Sequence, residues 1–442
     1  MKNWEKKKLG EVCIVERGSS PRPIEKYQTD SPDGVNWIKI GDTKGVDKYI
    51  VSTREKITKE GAEKSRYVKE GDFILSNSMS FGKPYIMKTD GYIHDGWFVF
   101  RLPDYIDKDY FYHLLTSPNV QEQIQSLGAG AIVKNISGDL VKRVDVTYPK
   151  SLPEQQRIVA ILDEAFAAIA KAKANAEQNL KNAKELFESY LQGVFEKKGK
   201  MSESGLIGLK DEQDLKSNQK KILKFSNLEN PDSDNGEGWE EKTLKEVCAK
   251  ITDGTHQTPK YFDDGVIFLS SKNVTSGKID WDNIKYIDEK QHLEMHKRVA
   301  PKVGDILLAK NGTTGVAAMV DRDLVFDIYV SLAHIRVLDE VTPDFMLYFI
   351  NSPVAKKQFN KRLKGSGVPN LHLEEIREVV IPFPKSIKEQ NKIVQKLNDF
   401  SSESKKLEAI YQQKINDLEE LKKSVLQKAF SGELETEKTH HK

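Results

Sequence analysis

Three short segments carry residue types that catalytic motifs use. Gly128-Ala129-Gly130 offers the glycines of a cofactor loop, Asn230-Pro231-Asp232 begins like the Asn/Asp-Pro-Pro-aromatic motif of adenine methylation, and Asp288-Glu289-Lys290 offers nuclease-like charges. Each motif is incomplete, and the sequence has no Gly-x-x-x-x-Gly-Lys-Ser/Thr phosphate loop. Because 31% of the residues are charged, Asp288-Glu289-Lys290 is more typical of a solvated turn. We therefore expect no catalysis by this chain alone.

The sequence contains two cysteines, Cys13 and Cys248. Two cysteines cannot build a zinc ribbon or finger without histidines, and the nine histidines show no ligand spacing. A disulfide is not expected in a reducing compartment. The sequence therefore predicts two buried free thiols and no metal site.

Polar and basic side chains collect in loops along both halves of the chain. In the first half these are Ser19, Ser20, Arg22, Lys39, Lys44, Asn77, Ser78, Lys83 and Lys134. In the second half they are Thr255, His256, Gln257, Lys260, Lys272, Asn273, Lys310, Asn311, Thr313 and Thr314. Arg and Lys suit guanine edges and phosphates, and Asn and Gln suit adenine edges, so the loops are candidate DNA contacts. For any single residue, an ordinary polar turn is an equal alternative.

Two glycine-containing loops, 128–135 and 365–370, precede the long helical segments described below. They either bring backbone amides close to phosphate or form tight connections between a domain and its helix. The sequence does not choose between these two interpretations.

The sequence contains an internal duplication. Trp4-Glu5 returns as Trp239-Glu240, a shift of 235 residues, and Cys13 returns as Cys248 with the same shift. Glu154-Gln155 likewise returns as Glu389-Gln390. A period this long excludes a solenoid and indicates duplication of a domain with its helix. Each domain reads as mixed and rich in strands, with short apolar runs between Gly and Asp turn signals.

A long helical segment follows each domain. Between Pro153 and Gly193 apolar or small residues recur at steps of three and four, as in a coiled coil, with Lys173 filling one gap. About 45 residues of helix would reach roughly 65 Å. The second copy, from Lys388 to Phe430, carries a less regular stripe that includes Leu421. We expect the two stripes to pack antiparallel, because the second helix must return toward the first domain; an intermolecular coiled coil is the alternative.

The sequence thus predicts an α+β fold in which two duplicated mixed α/β domains are joined by two long helices forming an antiparallel coiled coil. The predicted segments are a first domain at 1–150, helix one at 151–198, a flexible linker at 199–237, a second domain at 238–385, helix two at 386–434 and a disordered tail at 435–442. The net charge of +2 neither favours nor excludes a nucleic-acid partner. With no apolar run of about 18 residues and no signal peptide, we expect no membrane partner and a cytoplasmic location.

These motifs together resemble the specificity subunits of type I restriction–modification systems. The resemblance rests on the opening Trp-x-x-x-x-Leu-x-Glu-Val, the Gly-Asp-Ile-Leu run, the Pro-x-x-x-x-Glu-Gln-x-x-Ile-Val helix start and the ending from Leu426 to Leu434. It covers the whole chain except the linker and the tail. The first unit departs from it, because Leu191-Gln192-Gly193-Val194-Phe195-Glu196 lacks the Ser-Gly-Glu-Leu close, which leaves the end of its helix undecided.

The resemblance implies a protein without chemistry of its own. Each domain would recognise one half of a bipartite, asymmetric site on double-stranded DNA. Two modification subunits, which carry S-adenosylmethionine and methylate adenine, would dock on the paired helices, and restriction motor–nuclease subunits would join them. The chain itself would bind no cofactor. The docking positions predicted on the helices are Leu162, Phe166, Leu180, Phe187, Leu397, Leu407, Leu418 and Val425.

Other functions stay open at this point. The chain could be an enzyme with its own site, a coiled-coil scaffold that does not touch DNA, or a similar subunit of another restriction–modification type. Sequence-selective DNA binding would favour a specificity subunit, and salt-sensitive binding without a preferred sequence would count against one.

Overall fold

The computed structural model describes residues 3–77, 82–128, 137–196, 238–363, 370–431 and 433. Contacts divide the chain into unit 1, Met1–Ala174 with Lys414–Lys442, and unit 2, Asn175–Gln413. Each unit therefore combines one domain of the repeat with parts of both long helices. Within the described ranges, no helix is both long and apolar enough to cross a membrane.

Unit 1 contains three antiparallel or mixed sheets. Its strands are β1 (Trp4–Lys8), β2 (Ile14–Arg17), β3 (Val35–Ile38), β4 (Tyr49–Ile50), β5 (Glu55–Ile57), β6 (Arg66–Val68), β7 (Phe73–Ser76), β8 (Pro84–Met87), β9 (Gly91–Ile93), β10 (Trp97–Arg101) and β11 (Asp145–Pro149). The sheet orders are β1-β11, β2-β10-β7-β8-β4 and β5-β3-β9-β6. The two larger sheets meet at a core that includes Ile38, Ile74 and Trp97, all fully buried.

Unit 2 repeats this topology with fewer strands. Its strands are β12 (Trp239–Thr243), β13 (Cys248–Asp253), β14 (Val266–Leu269), β15 (Lys285–Ile287), β16 (Ile306–Ala309), β17 (Ala317–Met319), β18 (Phe326–Ile328), β19 (Leu332–Val337) and β20 (Val380–Pro384). The sheet orders are β12-β20, β13-β19-β16-β17 and β15-β14-β18. The register repeats as well, since Trp4 lies opposite Pro149 and Trp239 lies opposite Pro384. The duplication read from the sequence is therefore a duplication of the fold.

Short helices complete each domain. Unit 1 has α1 (Leu9–Val12), α2 (Lys59–Ala62), α3 (Lys108–Thr116), α4 (Pro118–Gly128) and α5 (Gly138–Val141). The first long helix, α6, spans Leu152–Glu196. Unit 2 has α7 (Leu244–Val247), α8 (Glu289–Met295), α9 (Pro343–Asn351), α10 (Pro353–Arg362) and α11 (Leu373–Arg377), and the second long helix, α12, spans Ile387–Ser431. The linker predicted at 199–237 and nearly all of the tail lie outside the described residues.

A buried glutamine joins each domain to the start of its long helix. The Gln155 side chain accepts a hydrogen bond from the Asp107 backbone N–H (2.8 Å) and donates to the carbonyls of Tyr105 (3.1 Å) and Pro149 (2.9 Å). Gln390 makes the same three bonds in unit 2, with the backbone of Thr342, Glu340 and Pro384. Both glutamines are fully buried. The repeated Glu-Gln pair in the sequence therefore marks a side chain that supplies hydrogen bonds to three backbone groups where the domain meets its helix.

The two long helices pack antiparallel within each unit. In unit 1 the Lys173 ammonium group lies 2.7 Å from the carboxylate of Glu419, and Lys422 lies over the Phe166 ring. In unit 2 the Ser404 hydroxyl donates to the Ala183 carbonyl, 2.8 Å away. Residue numbers rise along α6 as they fall along α12 in both units. This pairing within one chain confirms the predicted coiled coil.

The predicted apolar stripe of α12 contains one error. Leu421 is 48% exposed and therefore lies off the seam. Lys422, four residues after Leu418, is also exposed, and its ammonium group lies 5.0 Å from the centroid of the Phe166 ring. A long lysine stem can cover an aromatic face as an apolar residue would, which periodicity of apolar residues alone does not reveal.

The predicted docking positions on the helices pack inside the chain. Leu162 is fully buried in the unit 1 core, where Phe166 and Val425 pack at its margin. Leu397 is fully buried in the unit 2 core beside Phe187. The other three positions are half-buried: Leu180, Leu407 and Leu418. These apolar side chains are thus engaged in intrachain packing.

Candidate nucleic-acid interface

In each domain a glycine brings the loop after the second strand, β2 or β13, very close to another backbone segment. A Cβ atom on Gly18 would lie 2.0 Å from the His94 carbonyl oxygen, and a Cβ on Gly254 would lie 1.9 Å from that of Ile328. Both distances are far inside van der Waals contact, so neither position accepts a side chain without backbone movement. The two glycines hold equivalent loops at the ends of β2 and β13.

In unit 1 this loop converges on one carboxylate. The Ser20 hydroxyl donates to Asp95 Oδ1 (2.6 Å), Arg22 Nη2 lies 3.4 Å from Asp95 Oδ2, and the Asn77 amide donates to the Asp95 carbonyl (2.8 Å). We call Ser20, Arg22, Asn77 and Asp95 the Asp95 cluster. The hydrogen bond from Ser20 holds the pKa of Asp95 below its ordinary value, so the carboxylate is ionised near neutral pH. Arg22 remains 80% exposed and available to a partner.

In unit 2 the corresponding loop also converges on a carboxylate. Arg298 Nη2 and Lys310 Nζ each lie 2.5 Å from an Asp253 oxygen, and His256 Nε2 lies 3.2 Å away. We call Asp253, His256, Arg298 and Lys310 the Asp253 cluster. Burial pushes the pKa of Asp253 upward, but the hydrogen bonds from Lys310 and Arg298 outweigh it and hold the pKa below its ordinary value.

The two equivalent loops are preceded by residues of opposite charge. The residue before the close-approach glycine is Arg17 in unit 1 and Asp253 in unit 2. Arg17 donates through Nε to the Asp95 carbonyl (3.0 Å), whereas Asp253 accepts from Arg298 and Lys310. The same backbone frame therefore presents a different pattern of donors and acceptors in each domain.

The predicted contact residues of unit 1 fall into three groups. Ser19, like Ser20, lies half-buried in the loop after β2, and Lys44 is exposed. Lys39 forms an ion pair with Glu55 (2.8 Å), and Lys83 donates to the Val46 carbonyl (3.0 Å). Asn77 is 1% exposed and acts inside the Asp95 cluster. Ser78 and Lys134 lie outside the described residues.

The predicted residues of unit 2 divide in the same way. The exposed members are His256, Gln257, Lys260, Lys272 and Thr313, and the half-buried members are Asn311 and Thr314. Thr255 and Lys310 are buried. Asn273 is also buried, and its side chain holds its own loop through the backbone of Ser270 and Asn283. The structure thus gives Asn273 and Lys310 internal partners that the sequence did not reveal.

Exposed aromatic rings beside lysines extend the unit 2 surface. Tyr261 is 41% exposed with the Lys285 ammonium group 3.9 Å from its ring centroid, and Phe262 is 38% exposed near Lys260. Aromatic faces next to ammonium groups suit nucleic acid, because rings contact sugars and bases while lysines neutralise phosphates. Lys260 was predicted as a contact from the sequence, whereas the two rings that follow it were not.

One family model matches most of the chain. It is described as the type I restriction modification DNA specificity domain, and it matches residues 1–181 and again 236–419. The chain belongs to this family. The two matches fall on the two halves of the repeat, one to each domain.

Curated relatives and solved structures agree with that assignment. The MjaIX type I restriction enzyme specificity subunit of Methanocaldococcus jannaschii is 23% identical over 99% of this chain and 94% of its own length. The EcoBI type I specificity subunit of Escherichia coli is 24% identical, over 75% of this chain and 66% of its own length. A chain from a structure of the type I restriction–modification system, on its assembly and conformational transition, has a TM-score of 0.72 at 19% identity and covers 98% of this chain and 99% of that chain. The HsdS subunit from Thermoanaerobacter tengcongensis has a TM-score of 0.58 at 19% identity and covers 98% of each chain.

The thiols of this specificity-family chain differ from the sequence prediction in one respect. Cys13 is buried, as expected, but Cys248 is only half-buried, and both are free. Burial raises the pKa of each thiol to about 12, so both stay protonated near neutral pH and are poor nucleophiles or metal ligands.

A basic groove lies between α6 and α10 within unit 2. It encloses about 530 Å³ and is lined by Glu188, Pro353, Lys356, Lys357, Asn360 and Lys361. The loop 365–370, for which phosphate contact and a tight connection to the helix were equal alternatives, comes after α10, and all of it except Asn370 lies outside the described residues. The three lysines give this end of α10 the positive charge that a phosphate backbone requires.

A histidine pair was missed by the sequence analysis. His292 and His296 are four residues apart, which places both on one face of a helix, and the buried Asp327 lies against them. The spacing is visible in the sequence. Its third member, 31 residues beyond His296, becomes evident only once β18 is placed beside α8.

Proposed function

We propose that this chain is the DNA-sequence recognition subunit of a type I restriction–modification complex, with each domain reading one half of a bipartite, asymmetric site. The observation that carries the proposal is the pair of equivalent loops held by Gly18 and Gly254, with Arg17 before one and Asp253 before the other. A shared backbone frame with unlike polar groups is what two unlike half-sites require. Family membership supports the general role.

Within each cluster a carboxylate contacts basic side chains; Asp253 is buried, whereas the Asp95 side chain is 44% exposed. Asp253 accepts two short bonds, from Arg298 and Lys310, yet the Arg298 side chain is 45% exposed. A guanidinium fixed on one edge retains donors on the other for guanine O6 and N7 or for a phosphate. Arg22 contacts Asp95 in unit 1 at a longer distance, 3.4 Å, and is 80% exposed. We assign base contacts to these two arginines and phosphate contacts to the exposed lysines Lys44, Lys260 and Lys272.

The long helices would set the distance between the half-sites. Both α6 and α12 contain residues of unit 1 and of unit 2, and each is 45 residues long. A helix of that length extends roughly 65 Å, and inserting one residue changes its length by about 1.5 Å and its rotation by about 100°. We infer that spacer length on DNA follows from helix length.

The partners would dock on the outward faces of the helices, because the inward apolar positions are used within the chain. On α12, Ile410 is 54% exposed and Leu421 is 48% exposed. We propose that two modification subunits, carrying S-adenosylmethionine, bind such positions, and that motor–nuclease subunits join them. The chain itself would be non-catalytic and act in the cytoplasm.

Selection of binding sites from random duplexes tests the proposal. The full chain with its modification subunits is expected to recover one bipartite motif, and adenine methylation is expected at that motif. R298A should relax the bases of one half-site, and R22A those of the other half-site. A lost bidentate contact removes about 1–3 kcal/mol of discrimination, so the preference for that base should fall by about 5- to 150-fold.

K245A serves as the matched control for R298A. Lys245 is exposed on α7, at the opposite end of β13 from Asp253, so its loss should leave both half-sites unchanged. Binding without a motif, or equal effects of R298A and R22A on both halves, would contradict the proposal and favour a coiled-coil scaffold. Methylation or cleavage by the chain alone would contradict its non-catalytic role.

A further inference from the structure

Two histidines and a buried carboxylate converge in unit 2, apart from the Asp253 cluster. His292 Nδ1 lies 2.7 Å from Asp327 Oδ2, and His296 Nδ1 lies 3.1 Å from Asp327 Oδ1. One potential ligand atom from each of the three residues lies within 4.8 Å of those of the other two. Asp327 is 1% exposed, whereas His296 keeps 31% of its side chain exposed, so the cluster is anchored inside and open to solvent on one side.

The charge balance of this cluster differs from that of the other buried carboxylates in unit 2. Asp253 is paired with Arg298 and Lys310, and Asp305 is paired with Arg336 (2.6 Å). Among the residues that the structure describes, Asp327 has ion-pair contacts within 4.0 Å only from the two imidazoles. An imidazole is cationic only when protonated. A buried carboxylate is costly unless it is paired with a cation or coordinates a metal ion, so this cluster is suited to a metal ion.

We propose that His292, His296 and Asp327 bind a zinc ion. Two imidazole nitrogens and one carboxylate oxygen form a common Zn²⁺ ligand set, and hard ions such as Mg²⁺ and Ca²⁺ disfavour it. Zinc bonds of about 2.0–2.1 Å in a tetrahedron place ligand atoms about 3.3 Å apart. The two histidines contact different oxygens of Asp327, and one ligand atom from each of the three residues lies within 4.8 Å of the others, so side-chain rotations must bring these atoms to the spacing of a zinc site. Three protein ligands leave the fourth position to water on the exposed side.

The site is specific to the second domain. β18 pairs in parallel with β14, with Phe268 opposite Asp327, and in unit 1 β9 pairs in the same way with β3, with Trp37 opposite Tyr92. Tyr92 therefore stands where Asp327 does. The unit 1 helix that follows β5, α2, has the sequence Lys-Glu-Gly-Ala and no histidine. Unit 1 thus provides an internal comparison without the ligands.

The ion would fasten α8 to β18, and α8 in turn holds a loop of the proposed interface. The Gln291 side chain accepts from the Lys260 backbone N–H (2.9 Å) and donates to its carbonyl (3.0 Å). Gln291 is adjacent to His292, so fixing the helix fixes the segment that carries His256, Gln257 and Lys260. Any effect of zinc on DNA reading rests on the function proposed above, whereas zinc binding itself does not.

Metal binding by the full chain tests the site directly. The protein carries no added histidine tag, and His440 and His441 are replaced by glutamine in every sample because adjacent histidines bind zinc. Calorimetry against a zinc chelator is expected to show one Zn²⁺ per chain. Removing a residue that only hydrogen-bonds a metal ligand lowers metal affinity about 10–100-fold. H296Q removes a ligand itself, so it should weaken zinc binding by about a hundredfold or more. H372Q, which changes an exposed histidine at the start of α11, should bind zinc as the parent does.

Two further measurements separate a zinc site from a plain Asp–His hydrogen-bond network. Co²⁺ should give the visible absorption of a tetrahedral complex in the parent and not in H296Q. Hydrogen exchange of the amides of 289–296 should slow on zinc addition in the parent, while 59–62 in unit 1 stays unchanged. Absence of stoichiometric zinc uptake, or equal uptake by H296Q, would overturn the proposal. All of these readouts are independent of DNA, so a zinc site without a recovered DNA motif would refute only the proposed function.

Discussion

Lys310 places its ammonium group 2.5 Å from the carboxylate of Asp253, and their side chains are only 8% and 3% exposed. The two residues lie 57 positions apart in sequence. The pair joins the end of β13 to the residue after β16, so it stabilises the sheet and the candidate interface together. Its partner Arg298 reaches the same carboxylate from outside.

Removing this ammonium group should destabilise unit 2 strongly. K310M leaves a buried carboxylate with one guanidinium and one histidine, and breaking a buried pair costs about 3–5 kcal/mol. Because Arg298 remains, we expect a loss near the lower limit, about 3 kcal/mol. Hydrogen exchange of β13 and β16 measures the change. K272M, at an exposed lysine of the same domain, should change it by less than about 0.5 kcal/mol, and equal effects of the two variants would show that the pair contributes nothing specific.

The Asp253 carboxylate should also make stability depend on pH. Its pKa is lower in the folded chain than its ordinary value of about 3.9. A lowered folded pKa contributes stability that is fully present above the unfolded pKa and is lost as pH falls through the folded pKa. Urea unfolding of the parent and of D253N should therefore differ by a constant free energy above pH of about 5, and the difference should shrink below pH of about 4. A difference that grows on acidification would contradict the assignment.

The buried glutamine at the start of α12 should matter more than any exposed glutamine on that helix. Q390A removes hydrogen bonds to the backbone of Thr342, Glu340 and Pro384, leaving buried groups without partners. Each such group costs about 1–3 kcal/mol, and relaxation reduces their sum, so we expect a loss of about 2–3 kcal/mol. Urea unfolding measures it. Q395A, exposed five residues further along α12, is the control, and a similar loss there would indicate a general effect on the helix.

The duplicated architecture was predictable because it depends on local, periodic signals. Apolar residues spaced three and four positions apart predicted α6. The repeated Glu-Gln pair predicted that both long helices begin alike. The structure adds that Gln155 and Gln390 satisfy the same backbone groups. Periodicity failed at Leu421, which is 48% exposed, while the neighbouring Lys422 places its ammonium group over the Phe166 ring.

The candidate site was only partly predictable because its members are distant in sequence. Ser20 and Asp95 are 75 residues apart, and nothing near either residue indicates the other. Polar loops were identified by composition, which cannot separate an exposed Lys272 from a buried Lys310. Arg298 and Asp253 were missed because they are 45 residues apart, and only the fold brings the turn after α8 against the end of β13.

Two glycine replacements should change stability in opposite directions. G254A places a methyl group 1.9 Å from the Ile328 carbonyl oxygen, so the loop must move, and overpacking of this kind costs about 1–3 kcal/mol. G193A lies inside α6, where a Cβ meets nothing within 4 Å, and should gain about 0.5–1 kcal/mol because alanine loses less backbone entropy in a helix. Urea unfolding gives the sign of each change. G18A should be destabilised as G254A is, because its methyl group would lie 2.0 Å from the His94 carbonyl oxygen. An unchanged stability of G18A would show that the first loop can relax where the second cannot.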